Sequence, residues 1–418
     1  MRILIGAAGS MGDVVPYLGL GSRLREAGHE VSLASYELFG DRVRQQGLDF
    51  RALPGDPELM GASPDGQRWQ EGGAGPRGVL PFMRLIAAHM AELNEAFLAA
   101  AQQDADVLLL GGMTMIGGYH IAEGLGLPSM GLGLAPGHPT GEFPPTTVAL
   151  PSLGRWGNRA ISTAVITAGT AALSGSIKQL RISMGLPPAG ARRMFHRQDA
   201  ARWPVFYGFS ESVVPRPADW RPGLHVVGYW WPPHPPEWQP PAALVDFLAS
   251  GPPPVYVGFG SRNPRDAERI SEIVSTALRR AGARGVLQAG WAGLAADGDD
   301  VINIDEVPHD WLFPQMAAVV HHAGAGTTAA GLRAGVPTVG VPNITDQPFW
   351  ASRLVALGAS PGAVAMKNLT VDRLANLIRA AVQDRTYRDA AETVGQRIRA
   401  EDGASHVVNA ITQLKPPA

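Results

Sequence analysis

Two stretches carry residue types that can do chemistry at close spacing. The first is His321-His322, followed by AGAGTTAAGLRAG. The apolar run MAAVVHH (316–322) ends there as a strand, and the glycine-rich turn enters a helix whose first N–H groups have no intrahelical partner. Those donors and the positive end of the helix dipole suit a phosphate. Thr327 and Thr328 add hydroxyls, and His322 is placed to donate to a diphosphate oxygen. A tight strand-to-helix turn with satisfied histidines fits the same residues, and glycine spacing alone does not separate the two. A zinc site needs a third ligand at suitable spacing, and none is evident. The second stretch is Asp346-Gln347, which follows the strand PTVGVP (337–342). A carboxylate beside an amide offers acceptors and donors to neighbouring hydroxyls, which is what a sugar presents. A diphosphate turn with such a pair beside it points to a nucleotide sugar.

A third residue, Asp13 in GSMGDVVP (9–16), follows the first strand, and Gly9 and Gly12 allow a ligand to come close. It has two readings, an N-cap for the helix that begins at Val14 and a general base. Trp291, in QAGWAGL, reads as a base-stacking residue or as packing beside a turn. His89, His120 and His138 are pocket candidates by position in the first half, and each alone reads as structural. Trp230, Trp231 and Trp238 read as packing within a linker.

The elements that must position these residues alternate between strands and helices. RILIGA (2–7), a helix through Tyr17, Leu20 and Leu24, and EVSLAS (30–35) form one βαβ unit. DVLLL (106–110), a helix over 116–124 and PSMGLGL (128–134) continue the alternation. Beyond Val213 the chain is crowded with Pro and Trp and reads as a semi-rigid connector. PPVYVGFGS (253–261) then opens a second alternating set, with a helix from Asp266 to Ala281 and the strand GVLQA (285–289). The fold class is therefore α/β, two Rossmann-like α/β/α domains facing a central cleft. The boundaries are 1–215 for the first domain, 216–252 for the linker, 253–385 for the second domain and 386–418 for a C-terminal helical segment. Two Gly/Pro-rich stretches, about 54–79 and 137–158, read as irregular segments that cover a ligand. Ala160 to Ile177 reads as a buried or pocket-lining helix.

With 418 residues, two cores are the natural expectation. Lys and Arg number 35 against 37 acids, a formal charge of −2, which gives no electrostatic grip on nucleic acid or an anionic membrane. There is no cysteine, so thiolate chemistry is excluded. The start MRILIGAAGSMGD lacks a signal-peptide pattern and no stretch is long and apolar enough to span a bilayer, so a cytoplasmic protein without an integral membrane segment is expected.

The segment 307–350, VPHDWLFPQMAAVVHHAGAGTTAAGLRAGVPTVGVPNITDQPFW, resembles the donor-binding signature of the UDP-glycosyltransferase superfamily, in particular its bacterial sterol-type and antibiotic branch. GSMGDVVP resembles that branch's GSRGDVxP segment, and VGYW with VYVGFGS resembles its strand into the second domain. The resemblance implies the GT-B fold, with the acceptor bound by the first domain, the nucleotide sugar by the second and the C-terminal helix at 386–418 packing back on the first. It also implies diphosphate contacts from His322, Gly324, Gly326, Thr327 and Ser261, and sugar contacts from Asp346 and Gln347. Val307 falls where the family's backbone meets the nucleobase; Trp291 is a second nucleobase candidate from its residue type alone. Asp13 falls on the general base. No metal and no cofactor are implied; the partners are a UDP- or dTDP-sugar and a hydrophobic small-molecule acceptor, with a monomer or weak dimer expected. Two positions depart from the pattern. Met11 stands where the branch has Arg, and Ala323 replaces the first Gly of the turn, so that position should not need φ > 0.

The reaction implied is direct displacement with inversion, Asp13 deprotonating the acceptor hydroxyl. An ordinary Asp, at about 3.9, is a weak base near neutral pH, so partial burial in a closed cleft should raise it. A nicotinamide dehydrogenase is disfavoured because GAAGSMG lacks the GxGxxG spacing and Ser35 and Tyr36 stand where an acid would hold a ribose. A nucleotide-sugar-binding protein or an epimerase on the same fold is the remaining alternative.

Overall fold

A computed structural model describes residues 1–72, 76–234, 238–260, 267–289 and 298–414. The chain divides into two units, Met1–Pro235 with Glu401–Ala418, and Pro236–Ala400.

The first unit is built on a seven-stranded parallel sheet. Its strands are β1 (Arg2–Ala8), β2 (Glu30–Tyr36), β3 (Asp49–Leu53), β4 (Val107–Gly112), β5 (Ser129–Gly133), β6 (Val205–Tyr207) and β7 (Leu224–Val226). They lie in the order β3-β2-β1-β4-β5-β6-β7. β1 and β4 are buried on both faces, as strands of a parallel sheet covered by crossover helices must be. Ile3 pairs with Val31 on one side and Val107 on the other. The chain moves outward from β1 to β3 and then returns to β4 on the opposite side. The gap between the ends of β1 and β4 is therefore the sheet's switch point, where open α/β sheets bind ligands.

The second unit repeats the plan with β8 (Val255–Gly258), β9 (Gly285–Gln288), β10 (Val301–Ile304), β11 (Ala318–His321) and β12 (Thr338–Gly340). The order is β10-β9-β8-β11-β12, all parallel. Alternate residues feed two cores. Val255, Val257, Leu287 and Val320 pack on one face, and Tyr256, Val286 and Val319 on the other. Here the switch point lies between β8 and β11.

Several expectations are revised. Residues 216–234 belong to the first unit: β7 lies within them, and Trp230 donates from Nε1 to Gly403 O at 3.2 Å. Proline there shapes a short edge strand and its loops, which composition alone reads as a connector. The C-terminal segment is two helices. Arg385–Ala400 stays in the second unit, where Arg388 holds Met316 O and Ala317 O at 3.0 and 2.8 Å. Gly403–Thr412 belongs to the first, started by Asp402, whose side chain accepts from Ser405 N.

The stretch at 54–79, expected to be irregular, is mostly helical. Helices start at Pro57, Pro64 and Pro76, because proline at the first helical position lacks only an N–H that would be unpaired anyway. The uncharged stretch from Ala160 falls in the helix Gly154–Ala172, which is largely exposed and buries Asn158, Ser162 and Thr170.

Candidate active site

In the first unit the switch point is occupied by the turn from β1 into the helix Met11–Glu26. Asp13 is half-buried there. Ser10, and not Asp13, is the N-cap; Asp13 is the third helical residue and closes a capping box. Its Oδ2 accepts from Ser10 N at 2.8 Å and from Ser10 Oγ at 2.9 Å. Gly9 is needed for this, since a Cβ on it would lie 2.5 Å from Asp13 Oδ2. Burial and then the charge of Asp13 push the phenols of Tyr17 and Tyr36 up, so both stay neutral. Met11 begins the helix, half-buried.

In the second unit the switch point holds the β11 turn and the helix Ala325–Arg333. Gly324 is its N-cap, and the first helical bond runs from Thr328 N to Gly324 O at 2.9 Å. The N–H groups of Ala325, Gly326 and Thr327 precede that bond and have no carbonyl within the helix. Gly326 is exposed, with nothing within 4 Å of a Cβ placed on it. Thr327 is half-buried, whereas Thr328 is fully buried, so its hydroxyl is not offered to a ligand.

The His322 ring fills the space that Gly260 and Gly324 leave. A Cβ on Gly324 would come within 2.5 Å of His322 Nε2, and one on Gly260 within 3.1 Å of Cε1. Burial, followed by the nearby His309, brings His322 down to about 4, so near neutral pH it is an uncharged imidazole with one N–H to give. His321 is wholly buried and held well below the usual range by desolvation. Its Nδ1 accepts from Ala323 N at 2.9 Å.

Ala323 overturns one expectation: its φ is +60°, in the left-handed region. The turn geometry demands that conformation whichever residue stands there, and alanine adopts it at a cost of about 1–2 kcal/mol. Thr345, just before Asp346, is also left-handed at φ +45°. Strain of this kind persists only where the surroundings over-determine it.

Asp346 and Gln347 begin the helix Gln347–Ala356. Asp346 accepts from Trp350 Nε1 at 2.8 Å and Thr345 Oγ1 at 3.1 Å, and burial raises its carboxyl above the usual range. Gln347 Oε1 accepts from Asn343 N and Ile344 N at 2.8 and 3.1 Å. Its acceptor thus shapes the loop, which leaves the amide NH2 for a ligand hydroxyl. β11 and β12 are neighbours, with His321 paired to Gly340, so the His322 turn and the Asp346 loop leave the sheet side by side.

Val307 is 4% exposed and its side chain sits in a core with Tyr256 and Phe313, so it can offer a ligand only its backbone. Ser261 and Trp291 lie outside the described residues.

Models of two known families match the sequence. Residues 3–142 match the glycosyltransferase family 28 N-terminal domain, and residues 289–414 match the erythromycin biosynthesis protein CIII-like C-terminal domain. A sterol 3-beta-glucosyltransferase of Arabidopsis thaliana is 33% identical over 100% of this chain and 66% of that protein, so the chain spans about two thirds of the plant protein's length. The O-mycaminosyltylonolide 6-deoxyallosyltransferase of Streptomyces fradiae is 34% identical over 97% of this chain and 96% of its own. The chain belongs to the UDP-glycosyltransferase superfamily. It is a glycosyltransferase with the GT-B fold. The structure of the kitacinnamycin glycosyltransferase superposes with a TM-score of 0.72 over 99% of this chain and 98% of the other, at 20% identity, a likeness of fold.

Other polar groups of this glycosyltransferase have structural tasks. His120, brought down to about 4 by burial, faces buried Arg181, which pairs with Glu123 at 2.6 Å. His138 bonds the Tyr207 hydroxyl, and His89 Nδ1 contacts Leu85 O at 2.8 Å. Two Asp-x-Asp triplets occur. Asp104 and Asp106 pair with Arg51 and Arg2 at the amino ends of the strands, away from the switch point; Asp297 of the second triplet lies outside the described residues. Sequence reasoning missed His309, stacked on Phe313 at 4.3 Å and close enough to depress His322, as well as Ser10 and Gly260. Gly260 carried a signal, a second strand-to-glycine turn after VYVGF; His309 carried none.

Proposed function

We propose that the protein moves a sugar from a UDP- or dTDP-sugar to a hydroxyl of a hydrophobic small molecule of sterol, terpenoid or aglycone type, with inversion at the anomeric carbon. The observation that carries this reading is the adjacency of the β11 and β12 loops. One offers N–H donors at a helix start and a neutral imidazole; the other offers a carboxylate and an amide NH2. A diphosphate and the sugar attached to it need such groups side by side.

In the proposed reaction the acceptor oxygen forms a bond to the anomeric carbon as the bond from that carbon to the diphosphate oxygen breaks. The acceptor proton passes to the Asp13 carboxylate. The nucleoside diphosphate leaves with the bonding pair, and its new charge falls beside the helix N–H groups and His322, which bind it more strongly than the intact donor. The capping and basic roles of Asp13 are compatible, because the bonds from Ser10 fix the carboxylate at the end of β1.

The sterol and antibiotic relatives support a hydrophobic acceptor. The test is product analysis. Incubation with UDP-glucose or dTDP-glucose and a panel of sterols, terpenoid alcohols and phenols in EDTA is expected to give a β-glycoside from the α-linked donor, read from the anomeric proton coupling. An α-glycoside would contradict the proposal, as would donor epimerisation without transfer.

A further inference from the structure

From Phe143 to Gln198 the chain contains no Asp or Glu, although it has 37 in all and a formal net charge of −2. The helices Gly154–Ala172 and Ser174–Ser183 lie in this stretch, and the helix Ala191–Ala200 packs on the first of them. Ala160 to Ile177 carries no charge of either sign. That uncharged surface is not turned inward. Trp156, Ala160, Ala164 and Ala168 follow at four-residue spacing on one exposed ridge, and Trp156 is 91% and Leu153 56% exposed. Asn158, Ser162 and Thr170 are buried, Asn158 donating to Gly141 O at 3.1 Å and Thr170 to Ile166 O at 2.8 Å, while Thr163 and Thr167 are exposed with the alanines and Thr163 donates its hydroxyl to Arg159 O. A helix in water normally turns its charged residues out along its whole length, and this one exposes none from Ala160 onward.

Every charged residue from Phe143 to Gln198 is basic. Arg159, Arg181 and Arg197 are matched by Asp219 and Glu123. Arg155, Lys178 and Arg193 are exposed on a stretch with no acid of its own. Among the described residues no single helix is long and apolar enough to cross a membrane, and the helix pair that passes by composition is bent by 52°. An uncharged exposed face, a tryptophan at its end and basic residues beside it are what a segment lying in a lipid interface has. We propose that this face of the first unit docks on an anionic lipid surface. Leu153 and Trp156 enter the interface, and Arg155, Lys178 and Arg193 meet the phosphate headgroups. The charge balance of the whole chain conceals this local excess.

The test is co-sedimentation of the full chain with phosphatidylcholine vesicles, with and without about half phosphatidylglycerol. The expected result is binding to the anionic vesicles that weakens as salt is raised and is at least about tenfold weaker on neutral ones. The triple variant R155E/K178E/R193E is expected to lose on the order of 100-fold in affinity, and L153S/W156S to lose binding while W156F keeps it. All five positions are exposed, and a melting curve checks that each variant folds. Failure of the wild type to sediment with anionic vesicles would overturn the proposal, as would binding that neither variant changes. A dimer dissolved by L153S/W156S, without vesicle binding, would assign the face to a second copy and likewise overturn it.

Discussion

The imidazole of His322 lies so close over Gly324 that a methyl group there would sit 2.5 Å from Nε2. The glycine is thus required by its neighbour's ring and not by a left-handed backbone, since its φ is −66°. G324A is expected to displace the ring from the helix start and raise the KM for the nucleotide sugar by roughly 10- to 100-fold, the loss of one or two hydrogen bonds to a charged group. H322Q, which keeps an N–H donor, is expected to lose less than H322A. Initial rates over a donor series measure both.

Ala323 holds φ +60° with no glycine to relieve it. A323G is expected to stabilise the second unit by about 0.5–1 kcal/mol, the left-handed strain of alanine less the extra unfolded-state entropy of glycine. Urea unfolding of the two proteins compares them. Destabilisation would mean that the methyl, buried near Gly340, contributes more by packing than its backbone costs.

Gln347 has two tasks that one substitution separates. Gln347→Glu keeps an oxygen for Asn343 N and Ile344 N but has no NH2 to offer the sugar. Roughly a 10- to 100-fold fall in kcat/KM is expected, with the melting temperature held; Q347A is expected to lose both. If Q347E retains full activity, the amide NH2 does not touch the sugar.

Burial depresses His120 to about 4 and holds His321 well below the usual histidine range. The unfolded chain takes up these protons near pH 6.5 and the folded chain does not, so the unfolded state binds more protons through that window. Stability is therefore expected to be level above about pH 7 and to fall as the pH drops from 6.5 towards 4. His120 alone, being 2% exposed, is worth on the order of 3 kcal/mol at full development. Urea midpoints at pH 7.5, 5.5 and 4.5 check the direction.

The sequence announces the strands that precede the site because they are continuous apolar runs. RILIGA, DVLLL, GVLQA and MAAVVHH all appear as parallel strands within a residue or two. The short strands β3, β6, β7 and β10 escape notice because three to five residues carry no period, and their burial is set by neighbours distant in the chain. His322 and the Asp346-Gln347 pair are legible because each follows a strand, and the strand order that makes them neighbours follows from the parallel plan. What the sequence cannot carry is backbone torsion and ring placement. Ala323 reads as an ordinary residue yet is left-handed, Ser10 takes the cap that Asp13 resembles, and His309 is brought to the turn by packing on Phe313.

The central claim is that the carboxylate fixed by Ser10 is the base. Asn at position 13 retains an oxygen that can accept from Ser10 N, so D13N keeps the capping box and removes only the charge. Acceptor-dependent nucleotide release is measured for wild type and D13N in EDTA, with melting curves alongside. The account expects kcat to fall by about 10²–10⁴ in D13N with the melting temperature nearly unchanged. Undiminished turnover in a folded D13N protein would contradict it and leave Asp13 as a helix cap alone.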